Sequence, residues 1–392
     1  MRQQIERHAG DAARQSLWLK ALATVARATD LRLILERGGQ DPAVLAALVS
    51  SSALRGSKPN DTAPLIEPLF TATNAAVRTQ AVRIAGAWKL AAFADRIRSL
   101  AADEATPVPL RKAALTAIGD FGGPTDPTLL RIINSAKSPE LQATAFDALI
   151  VGSPDEAARI VLGKLNNAKR SEEAMPLLKA MLARTEGSAA FLKAVSAPKA
   201  LRADSAKLTL AALNLLGHSD RKLPQLLMNL AGMNTTLPVY TKEYVTNLVK
   251  SAQTIGRAAE GKQVFEQTGC IACHMPGAPQ SKIGPDLSAI SRSMPIDIII
   301  GEIIWPALNV KEGYEAATVT MKDGSILAGF KHTETTDTID IRDPATGALK
   351  SLVRASTAKI QTGGSLMPDG LTATLSEQQL ADLIRYVSEL GK

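Results

Sequence analysis

The chain has 392 residues, 45% hydrophobic but only 4% aromatic, with 45 Lys and Arg against 38 Asp and Glu. That length predicts two or three domains, and the composition favours Ala- and Leu-rich helices over a large β-sandwich. No run of about 18 apolar residues occurs, which excludes a membrane-spanning helix. The charge is unevenly spread: residues 1–252 carry a net +10 and residues 253–392 a net −3. A basic part followed by an acidic part predicts two domains, the first suited to an acidic protein, an anionic lipid surface met peripherally, or its own acidic neighbour. Nucleic acid is not expected, because the basic residues lack the interleaved aromatics of base-stacking surfaces.

In chain order, residues 11–70 read as irregular helices, with a joint at Ser57-KPNDTAPL. Three segments then align: Val77-RTQAVRIAGAW, Leu110-RKAALTAIGDF and Leu141-QATAFDALIVG. Each has small and aliphatic residues at helical spacing, and their starts lie 33 and 31 residues apart. The register continues through Met175-PLLKAMLARTEG and Lys207-LTLAALNLLGHSD. Second helices fall between them at Phe93-ADRIRSLAAD and Pro127-TLLRIINSAK, and Pro107, Pro124, Pro127, Pro139 and Pro154 mark the joints. Two helices per 31–33 residues predict an α-solenoid over residues 1–252, and the segment resembles HEAT-like repeats. It holds no acid–base pair, phosphate loop or nucleophile motif, and the lone His8 and His218 read as surface or loop positions.

Both cysteines of the chain lie in Gly269-CIACHMPGAPQSKIGPDL. A structural zinc site needs four ligands, and no second cysteine pair exists. A thioredoxin-like disulfide would open a helix in a βαβ setting, whereas the residues after His274 read as loop. The remaining reading uses every residue. Cys270 and Cys273 would anchor a haem edge through two thioethers, and His274 would bind the iron.

The flanks strengthen it. Gly261-KQVFEQTG reads as a helix with Gly261 and Phe265 on one face, Gly284-Pro285-Asp286-Leu287 follows the motif, and Leu375-SEQQLADLIRYVSEL is an amphipathic helix with Ser376 as N-cap. Together these residues, from about Thr254 to Lys392, resemble a class I cytochrome c. The resemblance implies that the Pro285 carbonyl accepts the Nδ1–H of His274, orienting the ring. It implies that the last helix, through Leu383 and Tyr386, packs across the first at Gly261. It also implies a methionine as sixth ligand on a loop before the last helix. Ser365-Leu366-Met367-Pro368 places Met367 there, with His332 as the rival. Met275 adjoins His274, Met294 reads as core, and Met321 falls in a strand.

His274 and Met367 are 93 residues apart. The extra length predicts strands near 315–321, 325–332, 337–342 and 348–354, with turns at Asp323-Gly324 and Asp343-PATG. Four or five such strands would make a small SH3-like or Sm-like β-barrel inserted at 315–361. The fold class expected is therefore mainly α: a HEAT-like solenoid over 1–252, then a cytochrome c-like haem domain over 253–392 holding the inserted barrel.

The order of C-x-x-C-H, G-P-D-L, W-P near 305, Y-E near 314, K-D-G and S-L-M-P-D-G-L is similar to a haem-binding domain of planctomycetes and verrucomicrobia. In that family the domain frequently follows a β-propeller resembling sugar or sorbosone dehydrogenases, and no propeller is legible here. The resemblance implies one covalent haem c with its iron and one-electron transfer without bond-making chemistry of its own. It also implies a redox partner protein: a dehydrogenase upstream, or a cytochrome or oxidase downstream. A haem-containing binding or sensor module is the alternative. Covalent haem attachment takes place outside the cytoplasm, so the expectation is a periplasmic or otherwise extracytoplasmic protein. Since residues 1–15 carry no export signal, the sequence is expected to be a mature or shortened form.

Overall fold

A computed structural model describes residues 1–392 except 56–61, 217–221, 234–237, 275–283, 345, 368 and 374. The expected joint at Ser57 and the positions of His218, Met275 and Pro368 lie outside the described residues. The chain is mainly helical with one antiparallel sheet near its C-terminal end. It divides into two units, Met1–Ala158 and Arg159–Lys392.

The first unit contains α1 (Arg2–Arg7), α2 (Ala12–Val25), α3 (Ala28–Gly38), α4 (Pro42–Arg55), α5 (Ala63–Ile66) and α6 (Ala75–Ala87). They are followed by α7 (Ala94–Ala102), α8 (Val108–Phe121), α9 (Pro127–Ser135) and α10 (Pro139–Gly152), while α11 (Pro154–Asn167) runs across the division. Pro127, Pro139 and Pro154 each occupy the first helical position, where a missing N–H costs nothing. Asp126 and Ser138 cap α9 and α10 by accepting from Thr128 N and Leu141 N.

A recurrent glycine sets how closely successive helices pack. Gly86, Gly119 and Gly152 are spaced by 33 residues. A Cβ on Gly86 would stand 2.5 Å from the Cα of Ala117, one on Gly119 2.5 Å from the carbonyl oxygen of Ala148, and one on Gly152 3.0 Å from that of Gly119. Helices α6, α8 and α10 therefore touch backbone to backbone at matching positions. Ion pairs link positions 28 residues apart, Arg98 to Asp126 at 2.7 Å and Lys112 to Glu140 at 2.5 Å.

The second unit opens with α12 (Ser171–Leu182), α13 (Thr185–Val195), α14 (Ala203–Leu215) and α15 (Lys222–Leu230). It continues with α16 (Lys242–Thr254), α17 (Ala258–Gln267), the single turn α18 (Cys270–Cys273), α19 (Ile290–Ser293) and α20 (Ile296–Ile304). Five strands follow, β1 (Glu315–Met321), β2 (Ile326–Glu334), β3 (Thr338–Arg342), β4 (Leu349–Val353) and β5 (Thr357–Ser365), and then α21 (Glu377–Glu389). Helix α16 packs through Val245, Leu248 and Ala252 against Ile300 and Ile304 of α20 and Ile384 of α21. A boundary at 252/253 would fall inside α16.

The strands run as an antiparallel meander from β1 to β4, and β5 returns beside β1, giving the order β4-β3-β2-β1-β5. Four of the strands lie where the alternation of the sequence predicts them. Both turns form, with Gly324 at φ +81° and the N–H of Gly347 donating to Asp343 O at 2.8 Å. Period-two alternation gives the sheet two buried faces. Ala317, Val319, Ile339 and Ile341 make a core of their own on one side, and Ala316 and Phe330 meet Leu366 and Tyr314 on the other. That second face borders the site.

Candidate cofactor site

Two helices frame the site, and a glycine lets them meet. Gly261 of α17 lies against the main chain of Asp382 in α21, and a Cβ at 261 would also come within 2.7 Å of Tyr386 Cβ. Phe265 meets the Tyr386 ring edge-on at 5.5 Å, and Val264, Phe265, Ile299, Leu383 and Val387 form the core below. Asp382 is 2% exposed yet fully engaged. It accepts from Arg257 N at 2.7 Å and Gln378 Nε2 at 2.8 Å, and pairs with the Arg257 guanidinium at 3.5 Å. A buried carboxylate so bonded fixes the start of α17 relative to α21.

From the end of α17 the chain turns through Gly269, at φ +82°, into the one-turn helix that carries both cysteines. The N–H of His274 donates to Cys270 O at 2.9 Å, closing the turn and bringing Cys270, Cys273 and His274 to one place. No disulfide joins the cysteines. Burial raises the Cys270 thiol. Burial together with the neighbouring Cys270 pushes Cys273 up to about 11, so both are protonated thiols at neutral pH.

The His274 ring is held from two sides. Its Nδ1–H donates to the Pro285 carbonyl at 2.9 Å. Gly284 lies flat against it, so that a Cβ there would stand 2.7 Å from Cε1. Burial lowers the His274 pKa, and the bond to Pro285 only partly offsets it, so the imidazole is neutral. With the proton on Nδ1, the Nε2 lone pair is left to bind a metal.

An apolar cavity of about 530 Å³ opens beside this turn. Cys270, Cys273, His274 and Pro285 lie on its wall, and so does Met367, from beyond the sheet. The main-chain N–H of Met367 donates to Ser365 Oγ at 3.0 Å. The rival ligand is elsewhere: His332 is exposed on β2 and does not border the cavity. Met294 packs against the core that holds Ile299 and also borders the cavity, while Met321 ends β1 against the sheet's own core. Among the described residues no group of three or more His, Cys, Asp or Glu is arranged to hold a metal ion.

Some wall residues carry no signal in the sequence, and others that do are placed there only by the fold. Phe330 reaches the cavity through the register of β2, Tyr314 and Leu366 meet it from the ends flanking β1 and β5, and Ser171 and Ala211 come from α12 and α14. Glu302 of α20 also borders it, its carboxyl raised by burial.

The residues fit a haem. Two thiols on one turn, an imidazole fixed by its far nitrogen, a thioether on the same wall and an apolar space are the donor set and surroundings that such a group requires. Helices crossing over a cysteine–cysteine–histidine turn define a c-type haem domain. The family whose sequence pattern matches is cytochrome c, over residues 258–340. That family match implies covalently bound haem c with its iron, and it suggests haem-based electron transfer. A search of curated proteins returns no match. No helix among the described residues is long and apolar enough to cross a membrane.

Proposed function

We propose that the chain is an extracytoplasmic c-type cytochrome that passes single electrons between protein partners. Cys270 and Cys273 hold the haem edge through thioethers, His274 and Met367 are the axial ligands of the iron, and Pro285 orients His274. What supports this reading is that four potential anchoring groups, drawn from positions as far apart as His274 and Met367, lie on the wall of one apolar cavity. When bound, the group supplies a one-electron couple whose potential a methionine ligand keeps higher than a second histidine would.

The residues around it bind, orient and exclude water. Pro285 keeps the proton on Nδ1 of His274, and Gly284 leaves the ring room to stand against the main chain. Phe265, Leu383 and Val387 line the cavity with hydrocarbon, which disfavours the more highly charged oxidised state. In this reading the haem part spans residues 253–392, with the inserted sheet at 315–361 as a small barrel. Residues 1–252 are HEAT-like repeats that dock the redox partner, a dehydrogenase or a downstream cytochrome or oxidase. The kinship with the planctomycete-type haem domain belongs to the same reading.

The test is maturation. The chain, exported in a host that assembles c-type cytochromes, should keep its haem on a denaturing gel and show a low-spin six-coordinate reduced spectrum. A colourless chain, with a control cytochrome maturing in the same cells, would overturn the proposal.

A further inference from the structure

The cavity is not bounded by the haem domain alone. Ser171, at the start of α12, and Ala211, on an exposed face of α14, stand on its wall although both belong to the helical region before α16. The connection that carries these helices there is fixed at two points.

The first point is at Pro238, Tyr240 and Tyr244, at the start of α16. The indole N–H of Trp305 donates to the Pro238 carbonyl at 2.7 Å, and the rings of Tyr240 and Tyr244 meet Trp305 edge-on at 5.1 and 6.0 Å. The second lies far away in sequence, at the β1–β2 hairpin. Residues 183–185, at the joint between α12 and α13, pair with residues 323–326 like a short extra strand. The N–H of Thr185 donates to Gly324 O at 3.0 Å, and the N–H of Ile326 donates to Ala183 O at 2.7 Å. Arg184 bridges to Ser325, and its guanidinium donates to Asp323 O at 3.1 Å. Gly324 fits there because it adopts φ +81° and because a Cβ would stand 2.9 Å from Glu186 Oε1. Two attachments, the one at the hairpin joining residues 139 positions apart, leave α12 and α14 little freedom to swing away from the cavity.

We infer that α12 and α14 are a fixed wall of the cofactor cavity, and that the inserted sheet's first hairpin is the latch holding them there. This rests on the haem reading above. The insertion thereby acquires a role, since the sheet lends Phe330 to the cavity on one side and, through its hairpin, secures the helical region on the other. The helical region then helps to set the redox couple and does more than dock partners. Motion of α12 and α14 would reach the cofactor directly.

The test puts charges on the wall and reads the midpoint potential of the full, haem-loaded chain. Position 211 is exposed and helical, so Ala211→Glu and Ala211→Lys leave the packing intact. A negative charge beside the cofactor favours its oxidised form and a positive one its reduced form. Ala211→Glu should therefore lower the potential and Ala211→Lys raise it, both shifts shrinking as salt is added. A second variant opens the latch. Thr185 is the first residue of α13, where proline is well accepted, and Arg184 before it is extended at φ −136° and ψ 145°. Thr185→Pro with Arg184→Ala thus removes the bonds to Gly324 and Asp323, leaving the hairpin held only by Ile326 N–H to Ala183 O, and leaves the helix whole. In that background the difference between Glu and Lys at 211 should fall at least twofold. Equal potentials for Glu, Ala and Lys at 211 would overturn the wall, and an undiminished difference after opening would overturn the latch. Should the latch variant fail to fold, the two charge variants still decide the first question. A chain that takes up no haem gives no potential at all, which sinks the functional reading and is plainly distinct from either result.

Discussion

Gly261 lies so close to the main-chain carbonyl of Asp382 that no side chain can stand between them. This contact joins the first and last helices of the haem domain, α17 and α21, across more than a hundred residues of intervening chain. Gly261→Ala should force the helices apart and cost about 3 kcal/mol, near the upper end of overpacking losses. Thermal unfolding of the second unit would report it, and haem incorporation should fall with stability. An alanine variant as stable as the parent would show that the helices cross elsewhere.

Met367 and His332 make opposite predictions. Met367→Ala should leave the haem covalently attached, because the thioethers are untouched, while changing the absorption spectrum and lowering the midpoint potential. His332→Ala, on an exposed strand position, should do neither. The reverse pattern would reassign the sixth ligand to His332.

The orientation of His274 depends on a main-chain acceptor, which side-chain substitution at Pro285 does not remove. Gly284 is the better probe. Gly284→Val would press a branched side chain into the imidazole, which a Cβ alone would approach at 2.7 Å. The expected result is retained haem with a broadened or high-spin spectrum, as the ring turns away from its bond to Pro285. An unchanged spectrum in the valine variant would show that the loop can yield.

In the first unit Asp126 combines a helix cap with an ion pair. Burial would raise its pKa, but bonds from Arg98 and Thr128 and the Arg98 charge outweigh that and hold it below the usual carboxylate value. A lowered folded pKa means that the ionised group stabilises above its unfolded pKa, about 3.9, and that the benefit vanishes as pH falls through the folded value. Asp126→Asn keeps a capping oxygen but loses the charge. It should cost about 0.5 kcal/mol at pH 7, the range of a partly exposed pair, and progressively less as the pH is lowered toward 2. Asp126→Ala also loses the cap and should cost about 1 kcal/mol more. Chemical denaturation at the two pH values separates these terms.

The 33-residue glycine series predicts a graded response. Gly119→Val would meet Ala148 main chain at under 3 Å and should destabilise the first unit by about 3 kcal/mol. Gly163, which nothing approaches within 4 Å, should accept alanine with a small gain in stability. Equal effects at the two positions would remove the close-packing argument.

Features of short range are legible in the amino-acid order alone. Helix periods, proline at first turns, strand alternation and the two turn signals are local, and they fix the element types almost throughout. The cysteine turn and its histidine are local as well, since five consecutive residues carry three donor groups. Gly86, Gly119 and Gly152 show as a period in the sequence, although their reason does not: only the packed helices reveal that each faces a neighbour's main chain. Other features exist only once the chain has folded. That Met367 and not His332 borders the cavity depends on which face of the inserted sheet turns inward. That Phe330 joins the wall depends on strand register. That Ser171 and Ala211 reach it depends on a pairing between Arg184 and Ser325 that no local pattern announces. These are contacts between residues far apart in the chain, formed because burying apolar surface and satisfying main-chain groups leaves few arrangements open, and no short stretch of sequence contains both partners.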